Sequence, residues 1–162
     1  MAVVVEKSVT VPWSPAEVFR LWTTEEGVRS FLAPEARVEL RLWGRYEILF
    51  DPDQPPGLQG TEGMRVMGFL EDEWLSVEWN APPSFPALRA GAPTCVVVQC
   101  EPAHGGGTRV RLRHAGFSPA AVEAGLPAYF EQAWTMVMAW LSHRCRVGPV
   151  DWAAPPRSPA GP

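Results

Sequence analysis

The chain has 162 residues, of which 46% are hydrophobic, and its formal net charge is −4 at pH 7. This length and composition predict one domain with a hydrophobic core of its own. The negative net charge argues against nucleic acid as the main partner, because phosphate binding depends on a basic surface. No apolar run approaches the length of a membrane span.

The N-terminal part predicts a strand followed by two short helices. Valines alternate with mostly polar residues over 3–11, which is the period of a half-buried strand. Ser14-Pro15 together with Glu17 form a capping box, so a helix begins there. Glu25 begins a second short helix toward Phe31.

The middle of the chain returns to period two and predicts antiparallel strands, since short turns join consecutive elements. The predicted strands are Arg37–Leu42, Tyr46–Phe50, Met64–Leu70, Leu75–Trp79 and Thr94–Glu101. Residues 51–60 predict a loop rich in Pro and Gly. The Pro-rich stretch 80–93 is long enough to indicate a functional or mobile excursion. Glu78 and Asn80, of opposite parity to Trp79, are expected to face solvent.

The C-terminal strand and helix carry the clearest pattern. Strict alternation over 107–117 predicts a half-buried strand. Its inward residues are Thr108, Val110, Leu112 and His114, and its outward residues are Arg109, Arg111 and Arg113. The arginine face is interpreted as a solvated strand face. A short helix over 119–124 is followed by a long one from Pro127 to about Cys145, whose apolar stripe contains Phe130, Trp134, Met138 and Leu141.

These elements predict an α+β fold in which about six to seven antiparallel strands form a curved sheet on a long C-terminal helix. A helix with one apolar stripe must pack on the sheet, and a curved sheet under it can leave a cavity. We expect the domain to cover residues 1–147. The Pro-rich residues 148–162 are expected to be a tail.

The three cysteines predict reduced thiols and hence a cytoplasmic location. Cys95 and Cys100 have opposite parity on one strand and cannot bridge. No signal-peptide pattern precedes the first strand. His143 and Cys145 do not share a helix face and no zinc spacing exists, so neither a metal site nor a cofactor is predicted.

Several segments in register resemble the START-like, or helix-grip, superfamily, and within it the homologues of the heat-shock-protein-90 ATPase activator. Ala133 stands where the family's last helix carries Gly, and Trp43 replaces the first glycine of its Gly-Gly turn. The segments that carry the resemblance are 15–23, 25–31, Trp43-Gly44-Arg45-Tyr46, Leu75–Trp79, Gly107–Phe117 and the Ala133-Trp134 helix. Together they cover the chain from Val3 to about Cys145.

The resemblance implies a cavity between the long helix and the sheet, which relatives use for apolar molecules. The candidate lining is Trp79, Val110, Leu112, His114, Phe130, Trp134, Val137, Met138 and Leu141. The alternative for each of these residues is plain core packing. In particular, Trp79 and Trp134 are large enough to fill the cavity rather than line it.

Three functions stay open on these grounds. The first is non-enzymatic binding of a small apolar ligand in the cavity. The second, implied by the resemblance, is a co-chaperone-like module that contacts a chaperone. The third is a cyclase- or hydratase-like enzyme with His114 as its orienting group or base, against the alternative of a structural histidine. A homodimer through a sheet edge is also open.

Overall fold

A computed structural model describes residues 2–156 of the chain. The elements in chain order are β1 (Val5–Val11), α1 (Pro15–Thr23), α2 (Glu25–Arg29), β2 (Glu35–Val38), β3 (Tyr46–Leu49), β4 (Val66–Leu70), β5 (Trp74–Trp79), α3 (Pro86–Arg89), β6 (Thr94–Pro102), β7 (Thr108–Ala115), α4 (Pro119–Glu123) and α5 (Leu126–Arg146). None of the helices within 2–156 is long and apolar enough to cross a membrane.

The main sheet has five antiparallel strands in the order β1-β7-β6-β5-β4. A separate hairpin of β2 and β3 continues it, because the Trp43 N–H donates to the Val66 carbonyl and the Tyr46 N–H to the Met64 carbonyl, both at 2.8–2.9 Å. The predicted α+β helix-grip fold is confirmed, with five rather than six or seven strands in the main sheet. β2 stops at Val38, short of the predicted Leu42.

The first helix begins where the capping box predicted it. The Ser14 side chain accepts from the Glu17 backbone N–H, and the Glu17 carboxylate accepts from the Ser14 N–H at 2.9 Å. Both bonds satisfy donors that an uncapped helix leaves without partners. α1 and α2 therefore lead the chain from β1 to the β2–β3 hairpin.

The long helix α5 packs on the concave side of the sheet. The inward residues of β7 are buried as predicted, with Val110, Leu112 and His114 all 0% exposed. On the other face, Arg111 forms an ion pair with Glu6 at 3.1 Å, and Arg113 donates to the Gln99 side chain. These arginines therefore bond to side chains of the neighbouring strands. The helix stripe and the inward strand face together form the core that supports the site.

The segment after α5 packs on the domain over its described part, 148–156. Val150 is 5% exposed and its N–H donates to the Ser30 carbonyl. The Trp152 indole donates to the Arg29 carbonyl, and the Trp140 indole on α5 donates to the Pro156 carbonyl at 2.9 Å. Residues 157–162 of the predicted tail lie outside the described residues.

Candidate functional site

A groove of about 680 Å³ runs along α5, between the helix, the 50–61 loop and the end of β5. Phe50, Leu58 and Tyr129 on its walls are more than 40% exposed, so it opens to solvent. The lining consists of Phe50, Asp51, Gln54, Leu58, Gln59, Gly60, Thr61, Trp79, Asn80, Pro82, Pro83, Arg89, Tyr129, Phe130, Gln132, Ala133, Trp134, Met136, Val137 and Trp140. Its size and mixture of apolar and polar groups are typical of small-molecule sites.

Two tryptophans form the floor of the groove. Trp79 at the end of β5 and Trp134 on α5 lie with ring centroids 5.0 Å apart, and they are 4% and 1% exposed. Both line the groove, yet both are almost wholly covered by other side chains on their remaining sides. Trp134 therefore lines the groove and, with Trp79, closes it off from the core beneath.

His114 lies under this floor in a continuous chain of hydrogen bonds. The Trp134 indole N–H donates to His114 Nδ1 at 3.0 Å. On the other side, His114 Nε2 lies 2.6 Å from Thr94 Oγ1, and the Thr94 hydroxyl donates to the Trp79 carbonyl at 2.8 Å. Because the threonine's single proton is used on that carbonyl, Nε2 must be the donor, which fixes the neutral Nε2–H tautomer.

This environment suits a structural histidine. Burial lowers the pKa of His114 from its ordinary 6.5 to about 3. Both ring nitrogens already have partners, and the ring packs on Phe117 and Phe130 with centroids 4.7 and 4.3 Å away. At neutral pH the ring is uncharged and has no lone pair free to accept a proton from a ligand.

Arg89 holds the polar wall of the groove together. Its guanidinium donates to the carbonyls of Gly57, Gly60 and Ala81 at 2.7–3.0 Å and to the Glu62 carboxylate at 3.2 Å. The Arg89 side chain is only 11% exposed. The Arg89 side chain thus ties the 80–93 excursion to the 57–62 turn. The described structure shows no sheet hydrogen bonds between these two segments, so their attachment depends on this side chain.

Glu62 completes this clamp as a charged partner. Burial opposes ionisation of its carboxyl, but hydrogen bonds from the backbone N–H groups of Gln59 and Gly60 outweigh it, so its pKa lies below the ordinary value. The carboxylate is therefore ionised at neutral pH and balances the Arg89 charge. The clamp makes the groove wall polar without leaving an unbalanced buried charge.

The structure brings four of the nine predicted lining residues to the groove. These are Trp79, Phe130, Trp134 and Val137. The other five pack in the core and do not line the groove: Val110, Leu112, His114, Met138 and Leu141.

The loops supply groove-lining residues that the sequence pattern does not predict. The 50–61 loop and Arg89 have no periodic pattern that could have placed them at the groove. Asn80, expected to face solvent, lines the groove, because β5 ends at Trp79 and parity no longer applies beyond it. The length and proline content of the 80–93 stretch were the only available signal.

The described part of the chain contains no set of side chains suited to bind a metal ion. No group of three or more His, Cys, Asp or Glu residues within 2–156 could hold a metal ion. Cys95, Cys100 and Cys145 are free thiols. The groove's chemistry is that of an apolar floor with hydrogen-bonding walls.

Comparison with known proteins places this helix-over-sheet arrangement in a family. The sequence profile of the family "Activator of Hsp90 ATPase homolog 1-like protein" matches residues 12–144. The chain belongs to this family. No curated protein sequence matches the chain.

Solved structures share the fold of this family member at low sequence identity. A protein of Mesorhizobium loti is 21% identical over 88% of this chain and 98% of its own, with a TM-score of 0.61. The Aha1 dimer of Colwellia psychrerythraea is 15% identical over 90% and 98%, with a TM-score of 0.66. DynU16, from the dynemicin biosynthetic locus, is 14% identical over 90% of this chain and 48% of its own, with a TM-score of 0.64. These likenesses show a common fold.

Proposed function

We propose that this protein binds a small, largely apolar molecule in the groove along α5, without converting it, in the cytoplasm. The observation that carries the proposal is the open groove of about 680 Å³ with Trp79 and Trp134 as its floor. Clefts of about 300–1,000 Å³ that combine apolar surface with a few polar groups are the usual sites for small ligands. The free thiols of all three cysteines support a reducing compartment.

The state of His114 supports binding over catalysis. The enzymatic alternative depends on this residue, which is 0% exposed and hydrogen-bonded at both nitrogens. A general base must reach a substrate proton within hydrogen-bond distance, and Trp134 lies between His114 and the groove in the chain of contacts. The ring holds the floor and cannot reach a ligand as a base, which supports binding over conversion of the ligand.

Filling the groove is expected to weaken ligand binding. Ala133 lines the groove on α5, and Ala133→Phe places a ring in the space that the ligand needs. We expect the affinity for the neutral fluorophore N-phenyl-1-naphthylamine to fall at least about tenfold, since one or two lost apolar contacts suffice for that factor. Fluorescence titration of wild type and variant measures it, with thermal melting to verify folding.

Ala128 offers a matched control on the same helix. It is exposed and does not line the groove, so Ala128→Phe should change the affinity less than about twofold. Equal affinities for wild type and a folded Ala133→Phe protein, or no wild-type binding at all, would contradict the proposal.

A second candidate function is contact with an Hsp90-type chaperone, and an exposed apolar tip favours it. Leu42 and Trp43 between β2 and β3 are 60% and 58% exposed. Trp43 has φ of 60°, a conformation that costs a non-glycine residue about 1 kcal/mol or more. Two adjacent exposed apolar side chains at a hairpin tip support a contact with another protein.

The chaperone candidate predicts a specific loss of retention. Immobilised chain should retain the host's Hsp90-type chaperone at micromolar concentration, and Trp43→Gly should lower that retention because it removes the exposed indole. Leu70→Ser, at another exposed leucine on β4, serves as the control. No retention by wild type, or equal retention by Trp43→Gly, removes this candidate.

The proposal includes a homodimer in which two copies of the chain pair through β1. β1 is an edge strand of the main sheet, and edge strands present unpaired backbone groups to a partner strand. The Colwellia protein of the same fold is a dimer. Sedimentation of the chain in the buffers of the ligand titration gives its oligomeric state.

A further inference from the structure

A second, smaller cavity lies behind the groove, under the 80–93 excursion. Its volume is about 150 Å³. It is lined by Trp79, Ala81, Ala87, Leu88, Gly91, Ala92, Pro93, Thr94, Gly116, Ser118, Ala121 and Leu126. Most of these side chains are small and apolar, so the cavity is shaped by the backbone of the excursion and the start of α4.

Trp79 belongs to both linings. It is the one residue that the groove and the small cavity share. It is 4% exposed and borders both the groove and the small cavity. The groove and the small cavity therefore meet at Trp79.

The two floor tryptophans are held very differently. The Trp134 indole N–H is committed to His114 at 3.0 Å. Among the described residues none accepts a hydrogen bond from the Trp79 indole, whose ring is held by packing on Trp134 and on the exposed Phe50, 6.2 Å away. Trp134 is thus a fixed part of the floor, whereas Trp79 is held by packing alone at the place where the two cavities meet.

The small cavity suits an apolar group. The Thr94 hydroxyl donates its proton to the Trp79 carbonyl, and the Ser118 hydroxyl oxygen accepts from the Ala121 N–H at the start of α4. Because most of the lining side chains are apolar, a polar ligand group placed there would lose more hydrogen bonds to water than the cavity replaces. A space of about 150 Å³ takes a molecule of the size of benzene.

We propose that Trp79 determines ligand length: with the indole in place an apolar chain ends at the groove floor, and without it the chain extends into the small cavity by about five or six carbons. The inference rests on the proposed function. It assigns the small cavity as a second compartment for the apolar end of an elongated ligand. Trp79 acts here through its bulk, because its backbone carbonyl keeps the bond to Thr94 whatever the side chain.

The test is a series of straight-chain primary alcohols from six to fourteen carbons that displace N-phenyl-1-naphthylamine. Each methylene that becomes buried raises the affinity up to about fourfold. The measured quantity is the chain length at which the affinity stops rising. We expect Trp79→Ala to move this limit about five or six carbons beyond that of wild type.

Two further variants make the result specific. Trp140→Ala enlarges the groove but does not border the small cavity, so its limit should stay within one or two carbons of wild type. Ala121, which is 3% exposed, lines the small cavity alone, so Trp79→Ala/Ala121→Leu should return the limit toward that of wild type. If Trp79→Ala does not fold, Trp79→Leu carries the same expectation with a smaller shift.

An unchanged length limit in a folded Trp79 variant, alongside alcohol binding by wild type, overturns this inference and leaves the proposed function standing. Failure of wild type to bind either the fluorophore or any alcohol overturns both.

Discussion

His114→Ala is expected to lower the free energy of unfolding by about 3–5 kcal/mol at pH 7. The change leaves a cavity between the Phe117 and Phe130 rings and removes the acceptor of the buried Trp134 indole N–H. Cavity formation in a core costs about 2–5 kcal/mol, and a buried donor without a partner adds about 1–3 kcal/mol, with partial relaxation limiting the sum. Urea unfolding measures the difference.

The same residue gives the protein a stability that depends on acid. The pKa of His114 is about 3 when folded and near its ordinary 6.5 when unfolded. Below pH 6.5 the unfolded chain therefore takes up a proton that the folded protein refuses, and stability is lost as the pH falls toward 3. The loss approaches 1.4 kcal/mol per pH unit, or about 2.5 kcal/mol between pH 6 and pH 4.

The stability gap between wild type and His114→Ala should therefore narrow by about 2.5 kcal/mol between pH 6 and pH 4, because the variant lacks the titrating ring. His104→Ala, in the exposed turn between β6 and β7, controls for loss of a histidine and should change stability by less than about 0.5 kcal/mol. A gap that stays constant or widens in acid would show that His114 is not buried and neutral.

Arg89→Met is expected to destabilise the protein by about 2–4 kcal/mol and to weaken ligand binding at the same time. The change removes the hydrogen bonds to Gly57, Gly60 and Ala81 and leaves the ionised Glu62, whose side chain is 18% exposed, without its cation. Breaking a largely buried ion pair from one side is costly because the remaining charge stays desolvated. The groove wall at 57–62 then loses its attachment to the 80–93 excursion.

Three companion variants separate the clamp from a simple loss of charge. Arg89→Lys keeps the charge but not the planar fork, so it should resemble Arg89→Met more than wild type. Arg89→Met/Glu62→Gln should recover part of the lost stability, because the uncompensated carboxylate is gone. Arg109→Met, at an exposed position of β7, should be near neutral. A stable Arg89→Met protein with wild-type fluorophore affinity would contradict the clamp.

The parts of the fold that follow a period could be predicted from the sequence. Alternation over 107–117 gave the inward face of β7, and the stripe on α5 gave its packing on the sheet. The capping box at Ser14 and Glu17 located the start of α1. In each case the physical cause is local, since the burial of one face imposes a repeat on neighbouring residues.

The site was only partly predictable because it depends on contacts between distant loops. Arg89 meets Gly57, Gly60 and Glu62 across 27–32 residues of chain, and no local pattern encodes such a contact. Periodicity also cannot distinguish a residue that lines the groove from one that fills the core, which is why Trp134 and Leu141 were predicted alike. Only the first of them reaches the groove.

The central claim is that the groove along α5 is the binding site, and its most direct test is the indole ¹H–¹⁵N NMR spectrum during titration with N-phenyl-1-naphthylamine. The eight tryptophans are natural reporters. We predict that the signals of Trp79, Trp134 and Trp140, which line the groove, shift saturably, while those of Trp22, Trp74 and Trp152 do not. Shifts confined to the exposed Trp43, or no saturable shift at any indole, would contradict the claim.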